Sequence, residues 1–91
     1  MKILTFNEKH NITGKILQEL RKQKGLSQDQ VAAQMQTAGI QINQKAISRI
    51  ESGDRVIADY ELLRLSEILD IPVNRLLEDA AKYEIDDKSK P

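Results

Sequence analysis

A chain of 91 residues is about one small domain, and the modest core of such a domain leaves little room for a catalytic cleft with a separate cofactor site. The sequence contains no cysteine, which excludes disulfides, thiolate metal sites and thiol nucleophiles and is compatible with a reducing cytoplasm. The formal net charge is zero, but residues 1–49 carry a net charge of +5 and residues 50–91 a net charge of −5. This segregation favours a phosphate-bearing partner for the first half, with chance clustering as the alternative.

The first eleven residues show neither helical nor alternating periodicity, so we expect a short N-terminal arm over residues 1–11, with Ile3, Leu4 and Phe6 laid on the core. His10, the single histidine, is interpreted as a surface residue. No apolar run is long enough for a membrane span or a signal-peptide core, so we expect a soluble cytoplasmic protein.

The first helix is predicted to begin after Thr13, a candidate N-cap, and to stop at Gly25. Its apolar residues recur at helical spacing, at Ile12, Ile16, Leu17 and Leu20. The last turn holds the basic cluster Arg21, Lys22 and Lys24, whose charges suit the negative end of the helix dipole. Lys22 is also a candidate phosphate contact if this helix lies near nucleic acid.

The second helix is predicted from a capping box, with Ser27 at the N-cap and Gln30 three residues later. Its amino end combines free backbone amides with Gln28, which makes a plausible phosphate clamp, although any helix has such an end. Residues 37–42 contain Gly39 and no helical period, so they are interpreted as the connection to the next helix.

The third helix is predicted between Asn43, as N-cap, and Gly53, in a left-handed conformation. Its apolar sector holds Ala46, Ile47 and Ile50, and the opposite sector holds Gln44, Lys45, Ser48, Arg49 and Ser52. Gln can pair two-pronged with adenine, and Lys or Arg with guanine, in the major groove of DNA. The alternative is an ordinary amphipathic helix with a solvated face.

Two more helices complete the predicted fold. A fourth helix follows Asp59, a candidate cap, and its stripe is Leu62, Leu65, Ile68 and Leu69. Pro72 opens a fifth helix, with Val73, Leu76, Leu77 and Ala80 on its apolar side. From about Ile85 we expect a disordered polar tail. With no strand signal, the fold class is all-α, a compact five-helix bundle divided as arm (1–11), helix-turn-helix domain (12–81) and polar tail (82–91).

The ordered motifs LRKQKGLSQDQVA at residues 20–32, ISRIESG at 47–53 and DIP at 70–72 closely resemble the Cro and phage-repressor type helix-turn-helix domains, also called the XRE family. The resemblance covers roughly residues 12–78. It implies a lambda-repressor-like DNA-binding fold and a transcription factor without a cofactor.

The resemblance also implies roles for individual residues. Gln28 matches the family's phosphate-contacting position, and the base-facing positions fall on Gln44, Lys45 and Arg49. Ser48 points the same way, toward a base or a phosphate. An ion pair between Arg21 and Glu51, joining the first and third helices, is implied as a structural feature.

The sequence departs from the family pattern between the second and third helices. About five additional residues fall across residues 36–42, which predicts a longer second helix and a longer turn. This departure puts the docking angle of the third helix in doubt. Gln41 and Asn43, near its amino end, are expected to be able to gain contacts with DNA.

Two function classes remain open at this point. The first is a sequence-specific double-stranded DNA-binding regulator, most simply a repressor, acting as a homodimer through the fifth helix; Val73, Leu76 and Leu77 are either its dimer surface or core. The second is an antitoxin-like or regulatory module that binds a protein partner through the acidic C-terminal half.

An enzyme is not expected, because the sequence contains no cluster of a nucleophile, a base and an orienting group, and no set of metal ligands. No small-molecule domain is expected either.

Overall fold

A computed structural model of the chain describes residues 6 and 8–89, with side chains described as far as residue 82. These residues form five helices: α1 Gly14–Gln23, α2 Gln28–Thr37, α3 Gln44–Glu51, α4 Asp59–Ile68 and α5 Val73–Ser89. An isolated antiparallel bridge joins Phe6 to Lys9 ahead of α1. The predicted all-α, five-helix fold is confirmed.

The core lies where the apolar stripes of the helices meet. Helix α2 packs on α3 and α4, α1 packs on α3 and α5, and α4 packs on α5. Every helix contributes buried side chains to this one cluster, which contains Ile16, Leu17, Val31, Ala32, Met35, Ile42, Ile47, Ile50, Leu65, Leu69, Leu76 and Ala80. Since the helices are short, this shared burial rather than local propensity holds them in place.

Local hydrogen bonds define where α2 and α3 begin. Ser27 Oγ accepts from the backbone N–H of Gln30 at 3.0 Å while the Gln30 side chain accepts from the N–H of Ser27 at 2.7 Å, so the predicted capping box is confirmed. Asn43 Oδ1 accepts from the N–H of Ala46 at 2.9 Å, which confirms the cap of α3.

The predicted N-cap residue of α1 is confirmed but its capping bond is not, and the predicted N-cap of α4 is wrong. Thr13 is the N-cap of α1, yet its side chain makes no capping bond, and Asn11 Oδ1 instead accepts from the N–H of Gly14 at 2.7 Å. The N-cap of α4 is Ala58, and Asp59 is the first helical residue. The N–H of Ala58 donates to Glu61 Oε1 at 2.9 Å. In both cases a side chain outside the predicted cap position reaches the free backbone group.

The connection between α2 and α3 is ordered by its own contacts. Of the additional residues, Gln36 and Thr37 lie in α2 and residues 38–42 form the turn. Gly39 takes a left-handed conformation with φ +86°, and Ile42 is 4% exposed in the core. The Gln36 side-chain N–H₂ donates to the carbonyl oxygen of Ile42 at 2.8 Å, so the turn is anchored at both ends.

The prediction that Phe6 packs on the core is wrong, and Ile3 and Leu4 lie outside the described residues. Phe6 is 48% exposed and forms the bridge with Lys9. The segment just after the bridge contacts the end of α3: the N–H of His10 donates to the carbonyl oxygen of Gly53 at 2.8 Å. The Asn11 side chain donates to the carbonyl oxygens of Ile50 and Arg55 at 3.0 and 2.8 Å.

The predicted disordered tail is also wrong over most of its length. Helix α5 continues to Ser89, and only Lys90 and Pro91 of the tail lie outside the described residues. Residues 73–90 contain neither Gly nor Pro, so nothing in them interrupts the hydrogen-bond pattern of a helix that has already formed.

Candidate nucleic-acid interface

Helix α3 divides sharply into a buried and an exposed face. Ile47 and Ile50 are each 1% exposed and anchor the helix in the core. On the other side Gln44, Lys45 and Arg49 are exposed, and Ser48 is half-buried beside them. The orientation expected from the sequence is therefore the one found, and the polar face presents donors of both amide and cationic type.

The remaining candidate residues are distributed around this helix. Gln41 and Asn43 are exposed on either side of the buried Ile42, as the alternation of an extended segment requires. Gln28 is half-buried at the start of α2. Lys22 is exposed in the last turn of α1, outside the α2–α3 unit.

A buried ion pair ties α1 to the end of α3. Arg21 Nε lies 2.6 Å from Glu51 Oε2, and Arg21 Nη2 donates to Glu51 Oε1 at 3.0 Å. A third donor of Arg21, Nη1, donates to the carbonyl oxygen of Leu26 at 2.8 Å. The hydrogen bond to Glu51 raises the pKa of Arg21 against the opposing effect of burial, so the guanidinium stays charged. The ion pair implied by the family resemblance is confirmed.

This ion pair continues into the candidate site. Glu51 Oε1 also accepts from Gln28 Nε2 at 2.9 Å, and Gln28 Oε1 accepts from Gln44 Nε2 at 2.6 Å. The four side chains form a chain of hydrogen bonds from the core to the exposed face of α3. We call Arg21, Glu51, Gln28 and Gln44 the polar chain.

The polar chain fixes which way each amide points. A carboxylate can only accept, so Gln28 must turn its N–H₂ group toward Glu51 and its oxygen away. That oxygen can only accept, so Gln44 must turn its N–H₂ group toward Gln28. What Gln44 keeps is its carbonyl oxygen and one N–H, which is the acceptor and donor pair that adenine N6 and N7 require.

The far end of α3 holds Arg49 beside an acid. Arg49 Nη2 donates to the carbonyl oxygen of Asp54 at 3.3 Å, and Arg49 Nε lies 3.9 Å from Asp54 Oδ2. Both side chains remain accessible, with 55% of Arg49 and 71% of Asp54 exposed. His10 and Arg55 line the same surface depression as this pair.

Three of these connections were not predicted from the sequence: Gln28 with Glu51, Gln44 with Gln28, and Arg49 with Asp54. Glu51 was assigned only to the ion pair, although it also orders Gln28, and Asp54 was given no role. The signal for Asp54 was present, because an acid directly after the Gly that ends a helix lies close to a basic residue in its last turn. The link from Glu51 to Gln28 depends on how three helices cross, and local spacing does not encode it.

Other classes of site are not found in the described part of the chain. No group of three or more His, Asp or Glu side chains there has metal-binding geometry. None of the helices described is both long and apolar enough to cross a membrane.

Comparisons with known proteins show the family of the chain. A family model described as Helix-turn-helix (HTH_3) matches residues 17–76, which include the whole polar chain. The crystal structure of the restriction-modification controller protein C.AhdI from Aeromonas hydrophila is similar, with 33% sequence identity and a TM-score of 0.60 over 70% of this chain and 86% of that chain. No curated protein sequence matches significantly. The chain therefore belongs to the helix-turn-helix family of XRE-type, DNA-binding transcriptional regulators.

Proposed function

We propose that the protein is a sequence-specific regulator that places α3 in the major groove of double-stranded DNA and represses transcription by occupying an operator. The observation that carries this proposal is the polar face of α3, on which Gln44, Lys45 and Arg49 are exposed together while Ile47 and Ile50 are held in the core. An α-helix fits the major groove, and these side-chain types read base edges there.

Each candidate residue has a role that its surroundings support. Gln44, oriented by the polar chain, would read adenine, and Lys45 and Arg49 would read guanine. Gln28 keeps one N–H after its bonds to Glu51 and Gln44, and this donor would bind a phosphate.

The other candidates would lie at the margins of the contact. Lys22 would approach a phosphate, and Ser48 either a base or a phosphate. Gln41 and Asn43, exposed just before α3, would extend the contact beyond the helix. The capping oxygen of Asn43 is committed to Ala46, so Asn43 would use its N–H₂ group.

We also propose that the active form is a homodimer, since one module reads only a few base pairs and two-fold operators match two-fold proteins. Leu76 is 0% exposed and belongs to the core, which removes it from the candidate dimer surface. Leu77 on α5 is 40% exposed, and Tyr60 and Leu63 on α4 are 60% and 50% exposed. Since α4 packs on α5, we propose these three exposed apolar side chains as the candidate self-association surface. Similarity to a controller protein supports the regulatory role.

The test is selection of bound sequences from randomised duplexes, followed by affinity measurements on the selected site and on random DNA. Gln44→Ala and Arg49→Ala are each expected to weaken binding to the selected site by about five- to hundredfold, which is the value of a two-pronged base contact, and to weaken binding to random DNA less. Equal losses on both would remove the residue from the base-reading set.

Lys22→Ala is the matched control for a phosphate contact. It is expected to lower affinity on all sequences alike and to reduce the salt slope by about 0.9. A wild-type protein with no selected sequence and a shallow salt slope would favour the second function, binding of a protein partner through the acidic C-terminal half.

A further inference from the structure

We propose that Asp54 is a specificity-determining positioning residue, which holds one edge of the Arg49 guanidinium so that the other edge reads a guanine. The proposal rests on the proposed function, because it assumes that α3 lies in the major groove. It adds a residue that does not itself touch DNA to the set that determines the operator.

The backbone places Asp54 directly beside Arg49. Gly53 ends α3 with φ +82°, its N–H donates to the carbonyl oxygen of Ile50 at 3.0 Å, and the N–H of Asp54 donates to the carbonyl oxygen of Arg49 at 2.8 Å. This pair of bonds is the Schellman arrangement, in which a left-handed residue folds the chain back over the last turn. Residues 49 and 54 are therefore joined through their backbones before their side chains meet.

Two contacts of the Arg49 side chain, one with the Asp54 carboxylate and one with the Asp54 backbone carbonyl, then select one edge of the guanidinium. Nε lies 3.9 Å from Asp54 Oδ2 and Nη2 donates to the Asp54 carbonyl oxygen at 3.3 Å, so the Nε–Nη2 edge faces Asp54. A guanidinium is planar and carries five N–H bonds in a fixed fork. With that edge occupied, the terminal edge formed by Nη1 and Nη2 offers the two parallel donors that match guanine O6 and N7.

Asp54 also limits what Arg49 can do elsewhere. An arginine that turns freely at a protein surface finds DNA phosphates on any sequence, and such contacts give affinity without discrimination. A neighbouring carboxylate opposes the approach of a phosphate and leaves the neutral base edge as the favoured partner. Asp54 would therefore raise the ratio of specific to non-specific binding.

The contact is accessible enough to be changed without unfolding the protein. The exposed fractions of 55% and 71% mean that the pair contributes little to stability. The Schellman bonds and the bond from Arg49 Nη2 to the carbonyl oxygen use the backbone of Asp54, so Asp54→Ala leaves them intact and removes only the carboxylate that lies 3.9 Å from Arg49 Nε. Thermal unfolding of this variant is expected to follow that of the wild type.

The experiment measures affinity of the full chain for three duplexes: the selected operator, the operator with the guanine that Arg49 contacts replaced by adenine, and a random sequence. The wild type is expected to prefer guanine by about five- to hundredfold. Asp54→Ala is expected to reduce this preference at least threefold, to strengthen binding to random DNA, and to steepen the salt slope by about 0.9 as Arg49 gains a phosphate.

Two control variants separate positioning from charge. Asp59→Ala removes an exposed acid at the start of α4 and is expected to leave the guanine preference unchanged. In an Arg49→Ala background, Asp54→Ala is expected to have no effect on the guanine preference, since the group that it positions is gone.

Either of two results would overturn the proposal. One is an unchanged guanine preference in Asp54→Ala, and the other is a selected operator with no guanine at the base pair that depends on Arg49. A wild-type chain that selects no sequence at all would instead refute the proposed function, and the positioning role with it.

Discussion

Glu51 accepts hydrogen bonds from two different helices of the molecule. Arg21 reaches it from α1 and Gln28 from the start of α2. The side chain of Glu51 is 4% exposed, so its charge is stabilised by these donors rather than by water. A single carboxylate thus connects the packing of three helices to the exposed side chain of Gln44.

At this residue scale we predict that Glu51→Gln lowers the free energy of unfolding by about 3–5 kcal/mol, because Arg21 is left buried without an opposite charge. Urea denaturation followed by circular dichroism measures this loss. Glu67→Gln is the matched control, since it breaks the exposed pair with Arg64, whose side chains are 54% and 47% exposed, and should cost about 1 kcal/mol or less. Similar losses for the two variants would contradict the prediction.

The exposed side chains of α3 could be predicted from the sequence, but their hydrogen-bond partners could not. Residues 100° apart along a helix share a face whatever the rest of the chain does, so Gln44, Lys45 and Arg49 were assigned correctly to the surface. The partners of Gln44 and Glu51 lie 16 to 30 residues away in sequence. Their approach depends on helix crossings, which periodicity does not specify.

At the scale of elements, the helix starts show the same division between local and distant causes. The caps of α2 and α3 use side chains within three residues and were predicted correctly. At α1 the N-cap residue Thr13 was predicted correctly, but the capping acceptor Asn11 was not. Asn11 lies only three residues before Gly14, yet its orientation is set by the carbonyl oxygens of Ile50 and Arg55, 39 and 44 residues away, and such tertiary contacts leave no short pattern in the sequence.

The start of α4 carries an ion pair with a predictable dependence on pH. Arg55 Nη1 and Nη2 donate to Glu61 at 2.9 and 3.0 Å. Burial acts to raise the pKa of Glu61, but the hydrogen bonds from Arg55 and from the N–H of Ala58 outweigh it, so the pKa lies below its usual value.

We therefore expect the contribution of Glu61 to stability to be complete above the unfolded-state pKa of about 4.3 and to be lost as the pH falls through the lower folded-state pKa. The free energy of unfolding, measured against pH in this acidic range, should fall less steeply for Glu61→Gln than for the wild type. Arg55→Met removes the donor and should flatten the same region. An unaltered acid profile in Arg55→Met would show that the ion pair does not cause the shift.

At the scale of the whole molecule, the fold class could be predicted because five amphipathic segments with short connections admit few arrangements. The two ends of the chain were predicted less well. Phe6 was expected on the core from its apolarity alone, and the stretch after Ile85 was expected to be disordered from its polarity alone. Composition describes what a segment prefers in isolation, whereas Phe6 forms a local bridge with Lys9 and the residues after Ile85 continue a helix that has already formed.

The assembly state gives a further prediction. If Tyr60, Leu63 and Leu77 form the candidate self-association surface, Leu77→Asp should convert the dimer to a monomer in sedimentation experiments, because a buried unpaired charge opposes association. The variant should also lose affinity for a two-fold operator more than for a half-site. Leu77 is 40% exposed in the folded chain, so its replacement should leave the unfolding temperature of the monomer close to that of the wild type. A variant that remains dimeric would place the interface elsewhere.

If α3 reads DNA as proposed, the polar chain would limit how this protein acquires a new operator in evolution. Glu51 binds Arg21 and also orients Gln44 through Gln28, so a substitution at Glu51 that redirects Gln44 would disturb the anchor of α1 on α3 and carry a penalty in folding. Lys45 and Ser48 lie outside the polar chain, so drift in binding preference among descendants of this sequence would accumulate there first, and the base pair opposite Gln44 would change last.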